Sequence, residues 1–147
     1  MNLPAKIVIG ADHAGFEYKE AIKQYLTKKN IEVLDVGTHS LDSCDYPDYA
    51  HAAAWEIENG NMEFGILICG SAIGVSVTAN KHQQIRAALC WQHEIAKLSR
   101  QHNDANIICL PSRFVTLDDA LEMTHTFLTT DFEGGRHQKR VEKIEIL

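Results

Sequence analysis

Residues 64–74 read FGILICGSAIG. Ile66, Leu67 and Ile68 form an unbroken apolar run, which predicts a strand buried on both faces. Cys69 closes the run, and Gly70, Ser71, Ala72 and Gly74 follow as a turn of small residues. A reactive side chain at the carboxyl end of a buried strand, followed by bare backbone amides, is one way an open α/β sheet builds a ligand site. The same residues fit a second reading, in which Cys69 is one more buried cysteine. The stretch alone leaves the two balanced.

Outward from it, short apolar runs alternate with helical patterns. AKIVIG at 5–10 reads as a strand, Asp12-His13-Ala14-Gly15 as a turn, and 16–29 as a helix with Phe16, Ala21, Ile22, Tyr25 and Leu26 at helical spacing. A second strand is expected over 31–36, then a polar loop carrying Asp45-Tyr46-Pro47-Asp48, and a helix over 49–59 ended by Gly60. The opening stretch supplies the third strand. Strands over 85–90 and 105–110 and helices over 92–101 and 117–128 follow, with a Gly-Gly turn and a mixed helical or extended tail to 147. Five strands alternating with helices predict a Rossmann-like, doubly wound, mostly parallel α/β sheet. With no linker or internal repeat, residues 1–147 read as one domain with a C-terminal helical tail.

The 147 residues carry 14 Lys and Arg against 20 Asp and Glu, a net charge of −6 with no basic tail. That argues against a nucleic-acid partner, whose affinity rests on many Lys and Arg contacts to phosphates. No run approaches the ~18 apolar residues of a membrane span. The strand pattern begins close to Met1, which predicts no signal peptide. The cysteines, at 44, 69, 90 and 109, form no CxxC pair, so neither a zinc ribbon nor a thioredoxin-type motif is expected. Cys90 and Cys109 sit in apolar runs and read as core. A cytoplasmic protein with reduced thiols follows. The eight histidines lack ligand spacing such as HxxxH, so no metal and no cofactor is expected. His39, His51, His82, His93 and His125 read as surface, capping or packing residues.

Ligands of such a sheet collect outside the carboxyl ends of its strands. Asp12-His13, Cys69 to Gly74 and Ser112-Arg113 all meet that condition. Asp12 equally suits a helix cap. The amides after Cys69 suit a developing oxyanion, although Gly-Ser turns are common. Arg136 and Arg140 share a face if their segment is helical, and two guanidiniums match a phosphate dianion; a solvated C-terminal helix is the plainer alternative. Residues 99–106, SRQHNDAN, hold more polar groups than a turn requires.

The segments GADHAGF, DVGTHS, DYPDYA, ILICGSAIG, ANK, IRAAL, LSRQHNDAN and EGGRHQKRV, in this order and over nearly the whole chain, resemble the ribose-5-phosphate isomerases of the B type. That family includes the galactose-6-phosphate isomerase subunits. The resemblance moves Cys69 toward function. It implies aldose–ketose isomerisation of a sugar phosphate through an enediolate, with Cys69 as the base that carries the proton and His102 as the acid that opens the ring. It further implies that Asp12 binds sugar hydroxyls or assists opening. The amides of Gly70, Ser71, Ala72, Ile73 and Gly74, with the Ser71 hydroxyl, would cradle the enediolate. His13, Arg136 and Arg140 would hold the phosphate, and Asn103 and Arg113 would complete the substrate contacts. Ala72 stands where the family usually has glycine. Val75 stands where one branch carries a glutamate base, which leaves Cys69 without a rival.

His102 directly precedes the fifth strand and so belongs to the amino edge of the sheet, whereas Cys69 lies at the carboxyl edge. A five-residue strand spans about 17 Å, too far for one substrate to touch both. His102 and Asn103 are therefore expected to enter the site from a second subunit of a homodimer, with a dimer of dimers left open. Ribose 5-phosphate is the expected substrate. A hexose 6-phosphate such as allose or galactose 6-phosphate is the alternative within the class, and a non-catalytic sugar-phosphate sensor the alternative outside it.

Overall fold

The computed structural model describes residues 3–146. Its strands β1 (Lys6–Ala11), β2 (Glu32–Asp35), β3 (Gly65–Cys69), β4 (Ala87–Leu89) and β5 (Ile107–Pro111) alternate with helices α1 (Phe16–Lys28), α2 (Tyr46–Glu58), α3 (Ile73–Ala79), α4 (His93–Gln101) and α5 (Leu117–Thr129). A last helix, α6, covers Arg136–Glu142. The strands lie in the order β2-β1-β3-β5-β4, and every pairing is parallel, so the sheet is wholly rather than mostly parallel.

Period-two alternation divides the strands between two cores. Ile7, Ile9, Ile66, Ile68, Ile108 and Leu110 meet Ile22 and Leu26 of α1, Ala96 of α4, and Met123 and Phe127 of α5. On the other face Val8, Leu67, Cys69, Ile107 and Cys109 meet Ala50, Ala53 and Ala54 of α2 and Val75 and Ala79 of α3. Both faces are covered, which explains why the strands read as continuous apolar runs. Cys90 and Cys109 are fully buried, and burial pushes both thiols up to about 12. All four cysteines are free.

Element boundaries moved where side chains compete with the backbone pattern. The second helix starts at Tyr46, earlier than expected, because Pro47 falls in its first turn, where a missing N–H costs nothing. The polar stretch after Gly74 forms α3. Strand β5 starts at Ile107 because the Asn106 side chain is bonded sideways: its Oδ1 accepts from the Arg86 amide at 2.8 Å, and its Nδ2 donates to the Gln84 carbonyl at 2.7 Å. The tail is helical over α6.

The polar cluster at 99–106 is largely structural. Arg100 is buried, lies over the Phe64 and Phe127 rings, and donates to the carbonyls of Thr130 and Ala105 and to Asp104. This arginine fastens the end of α5 to the end of α4. His102 and Asn103 are left outside that network.

Candidate active site

The chain leaves β1 toward β2 on one side and returns to place β3 on the other. The switch point therefore lies between β1 and β3. Register sets the three carboxyl ends level, with Ala11 beside Ile68 and Cys69 beside Pro111. A cavity of about 600 Å³ opens there, and Asp12, His13, Cys69, Gly70, Ser71, Ile73, Gly74 and Arg113 all line it. Eight of the sequence-derived site residues thus meet in one place.

Each is positioned by the backbone around it. Asp12 is 8% exposed, and its Oδ1 accepts from the amides of Ala14 and Gly15 at 3.0 and 3.1 Å. It therefore shapes the turn before α1 while Oδ2 takes no hydrogen bond from the described residues. The Cys44 amide donates to His13 Nδ1 at 3.2 Å. A lone pair engaged this way puts the ring proton on Nε2, so His13 presents a donor.

Cys69 is 5% exposed, and its carbonyl accepts from the Ser112 amide at 3.0 Å. The Ser112 hydroxyl donates to the Ala14 carbonyl at 2.8 Å, so one side chain fastens the loop after β5 to the loop after β1. Gly70 has no side chain to hold off Arg113: a Cβ there would stand 3.0 Å from the guanidinium.

The turn differs in one detail from a set of free amides. The Ile73 amide donates to the Ser71 hydroxyl oxygen at 3.2 Å, so it is occupied within the protein. The Ser71 O–H remains free to donate. Ala72 does not line the cavity; it is fully buried with φ at +63°, the left-handed region that glycine enters more easily. The turn keeps that backbone despite the methyl group, and Ala72 offers a ligand only its main chain.

His102, Asn103, Arg136 and Arg140 do not line this cavity. Gly65, at the amino end of β3, pairs with Ile107, which places the α4–β5 connection and its His102 at the opposite edge from Cys69. The Glu133 amide donates to the Gln101 carbonyl at 3.0 Å, and the His137 ring stacks on His102 with centroids 4.2 Å apart. Helix α6 and its arginines therefore stand with His102, and Arg136 and Arg140 do not meet His13 of the same chain. Arg136 and Arg140 are exposed, share a face and make no ion pair among the described residues. Burial, then the His102 ring and Arg136, lower the His137 pKa below the ordinary imidazole value.

Sequence reasoning assigned no role to Tyr46. Its ring lies across Gly74, where a Cβ would stand 2.5 Å from it, and it lines the cavity with a hydroxyl that has no partner among the described residues. The signal was the DYPDYA segment, but a side chain 28 positions before Gly74 is brought onto it only by the fold. His51 and His82 proved to be linked: His51 Nδ1 lies 2.6 Å from His82 Nε2, and His82 Nδ1 contacts Glu58, tying α2 to the end of α3.

A sequence profile of the ribose/galactose isomerase family matches residues 7–144. The chain belongs to that family. It is 45% identical over 139 residues to the ribose-5-phosphate isomerase B of Escherichia coli K12, a match covering 95% of this chain and 93% of that one. Among solved structures, a ribose 5-phosphate isomerase of Thermotoga maritima superposes with a TM-score of 0.93 at 49% identity, over 95% of this chain and 97% of that one. The ribose-5-phosphate isomerase B of Mycoplasma genitalium, solved with bound ribulose-5-phosphate, superposes with a TM-score of 0.92 at 41% identity, over 97% and 95%. As in other members of this family, the sheet is Rossmann-like. No helix among the described residues is long and apolar enough to cross a membrane.

Proposed function

We propose that this isomerase interconverts ribose 5-phosphate and ribulose 5-phosphate, using a site shared between two copies of the chain. The observation that carries this reading is the meeting of Cys69, its small-residue turn, Asp12, His13 and Arg113 in one cavity at the switch point. The named activity of near-full-length relatives supports the substrate.

His102 of a second subunit protonates the ring oxygen as the C1–O bond of the furanose breaks and the C1 hydroxyl gives up its proton to water, leaving the aldehyde. The Cys69 thiolate then removes the C2 proton, and negative charge develops on O1. The free turn amides and the Ser71 hydroxyl stabilise that charge. The Cys69 thiol returns the proton to C1 while the O2 proton passes to O1, which leaves a C2 carbonyl and a C1 hydroxyl and completes the ketose. Asp12 engages sugar hydroxyls. The Nε2 proton of His13 meets the phosphate together with Arg136 and Arg140 of the second subunit, while Asn103 and Arg113 complete the contacts. No metal or cofactor enters this scheme.

Two features point to a second subunit. His102, Asn103, Arg136 and Arg140 stand together, apart from the Cys69 cavity. The mouth of that cavity is also ringed by exposed apolar side chains, with Phe114 75%, Ile73 58%, Val77 56% and Trp91 52% exposed. A partner that brought the missing groups would cover this surface.

The test is complementation. Cys69→Ala and His102→Ala proteins, each inactive alone, are mixed and allowed to exchange subunits. One site of each heterodimer then holds both native groups, so about a quarter of wild-type activity should return, since half the dimers are mixed and half their sites are native. Absence of any recovery would sink the shared site. Rates on ribose 5-phosphate and on allose and galactose 6-phosphates, measured side by side, test the substrate; a hexose preference overturns it.

A further inference from the structure

Strand β2 ends at Asp35, the partner of Ile9, but β1 runs on to Ala11. The loop after β2 takes over the pairing there. The Gly37 carbonyl accepts from the Ala11 amide at 2.7 Å, and the Thr38 amide donates to the Ala11 carbonyl at 2.7 Å. Ala11 directly precedes Asp12 and His13 of the candidate site. Farther along the same loop, the Cys44 amide donates to His13 Nδ1. One loop thus holds both the root of the Asp12–His13 turn and the His13 ring.

The loop is itself anchored at Asp35. The Asp35 Oδ1 accepts from the Gly37 amide at 2.9 Å, and its Oδ2 receives Lys19 Nζ at 2.5 Å and Lys23 Nζ at 3.1 Å. The Asp35 side chain is 7% exposed and Lys19 is fully buried, so water competes little for either. Gly37 has φ of +105°, and a Cβ there would stand 2.8 Å from the Tyr49 ring, so α2 closes the loop from its other side. An apolar pair of similar volume would fill the space of Lys19 and Asp35 with little loss of stability. Packing therefore does not call for the two charges. Holding an acceptor under the Gly37 amide does call for a carboxylate, and Lys19 fixes its rotation.

We propose that Asp35, held in orientation by Lys19, is a positioning residue for the isomerase reaction: through the 37–38 peptide and Ala11 it sets where the Asp12 carboxylate and the His13 ring stand in the cavity. Neither Asp35 nor Lys19 lines that cavity. The effect passes to substrate through Asp12 and His13, so the inference rests on the roles proposed above for those two residues. A misplacement of about 1 Å in such groups costs up to about a hundredfold in rate.

The experiment compares two neutral versions of the pair, Lys19→Met/Asp35→Asn and Lys19→Met/Asp35→Leu. Both lose the buried charges, but only asparagine keeps an oxygen for the Gly37 amide. Folding of each is checked by circular dichroism at the assay temperature, and Lys19→Met/Asp35→Ala replaces the leucine pair if that one unfolds. The His13 ring resonances of isotopically labelled protein, assigned through His13→Asn, report the position of the ring independently of turnover. The expected result is a kcat/KM at least about tenfold lower in the leucine pair than in the asparagine pair, with the His13 resonances displaced only in the leucine pair. Equal kcat/KM in the two pairs, with His13 resonances alike, overturns the proposal. A lower kcat/KM in the leucine pair without movement of His13 places the effect elsewhere and overturns it as well. Displaced resonances with unchanged kcat/KM overturn the proposed use of Asp12 and His13 toward substrate, and the inference with it.

Discussion

Gly15 lies so close to Ile68 that a Cβ on the glycine would stand 2.5 Å from the Ile68 carbonyl oxygen. That contact is backbone on backbone, so no side-chain rotation relieves it. It holds the Asp12–His13 turn against the end of β3, one residue before Cys69. Its φ is −97°, an ordinary value, so the demand for glycine here is one of space. Gly15→Ala is expected to cost about 2–3 kcal/mol, read as a lower urea midpoint, and to lower kcat/KM by moving Asp12 and His13.

Gly74 and Tyr46 stand in a similar relationship across the cavity mouth. Tyr46→Phe removes only an unpartnered hydroxyl, so the melting temperature should stay within about 2 °C. If the hydroxyl meets substrate, kcat/KM falls by about tenfold, the loss of one hydrogen bond. Unchanged kinetics would limit Tyr46 to shaping the wall.

Lys19 is fully buried at the start of α1, with Nζ 2.5 Å from Asp35 Oδ2, and Lys23 reaches the same oxygen at 3.1 Å. Burial by itself raises the Asp35 pKa, but the Lys19 hydrogen bond, the Gly37 amide and Lys23 outweigh it, and the net shift is downward. A carboxylate with a depressed folded pKa contributes stability that is complete above its unfolded value near ~3.9 and is lost as pH falls through the lower folded one. Asp35→Asn should therefore flatten the acid limb of stability against pH below about 4, measured by urea unfolding. Lys19→Ala, which leaves Asp35 buried with Lys23 alone, should cost about 3 kcal/mol at pH 7.

Cys90 and Cys109, both raised to about 12 by burial, carry little thiolate at pH 8, on the order of one part in ten thousand. Iodoacetamide applied to the folded protein at that pH should add at most two adducts by intact mass, on Cys44 and Cys69. Modification of Cys90 or Cys109 without unfolding would contradict the core assignment.

Much of this was legible in the chain itself. A strand buried on both faces needs an apolar residue at every position, and IVI, ILI and IICL could form little else in a sheet flanked by helices. Strand direction follows from helices between strands, and in an open parallel sheet the carboxyl ends mark the ligand edge; Asp12, Cys69 and Arg113 were readable from position alone. The edges of elements were less so. Strand β5 shortened because Asn106 bonds sideways, and α2 lengthened because Pro47 fits a first turn.

The sequence by itself determined the alternation of strands and helices, and with it the place of the Cys69 turn, because those follow from periods of two and 3.6 residues within short windows. Only the tertiary structure decided what crosses the chain: Tyr46 lying on Gly74, Ser112 joining two loops, Arg100 serving the core, and His102, Glu133 and His137 meeting at one point. Such meetings depend on register, turn geometry and the angle at which a helix returns. No spacing along the chain encodes these, so those meetings became visible only when the loops were in place.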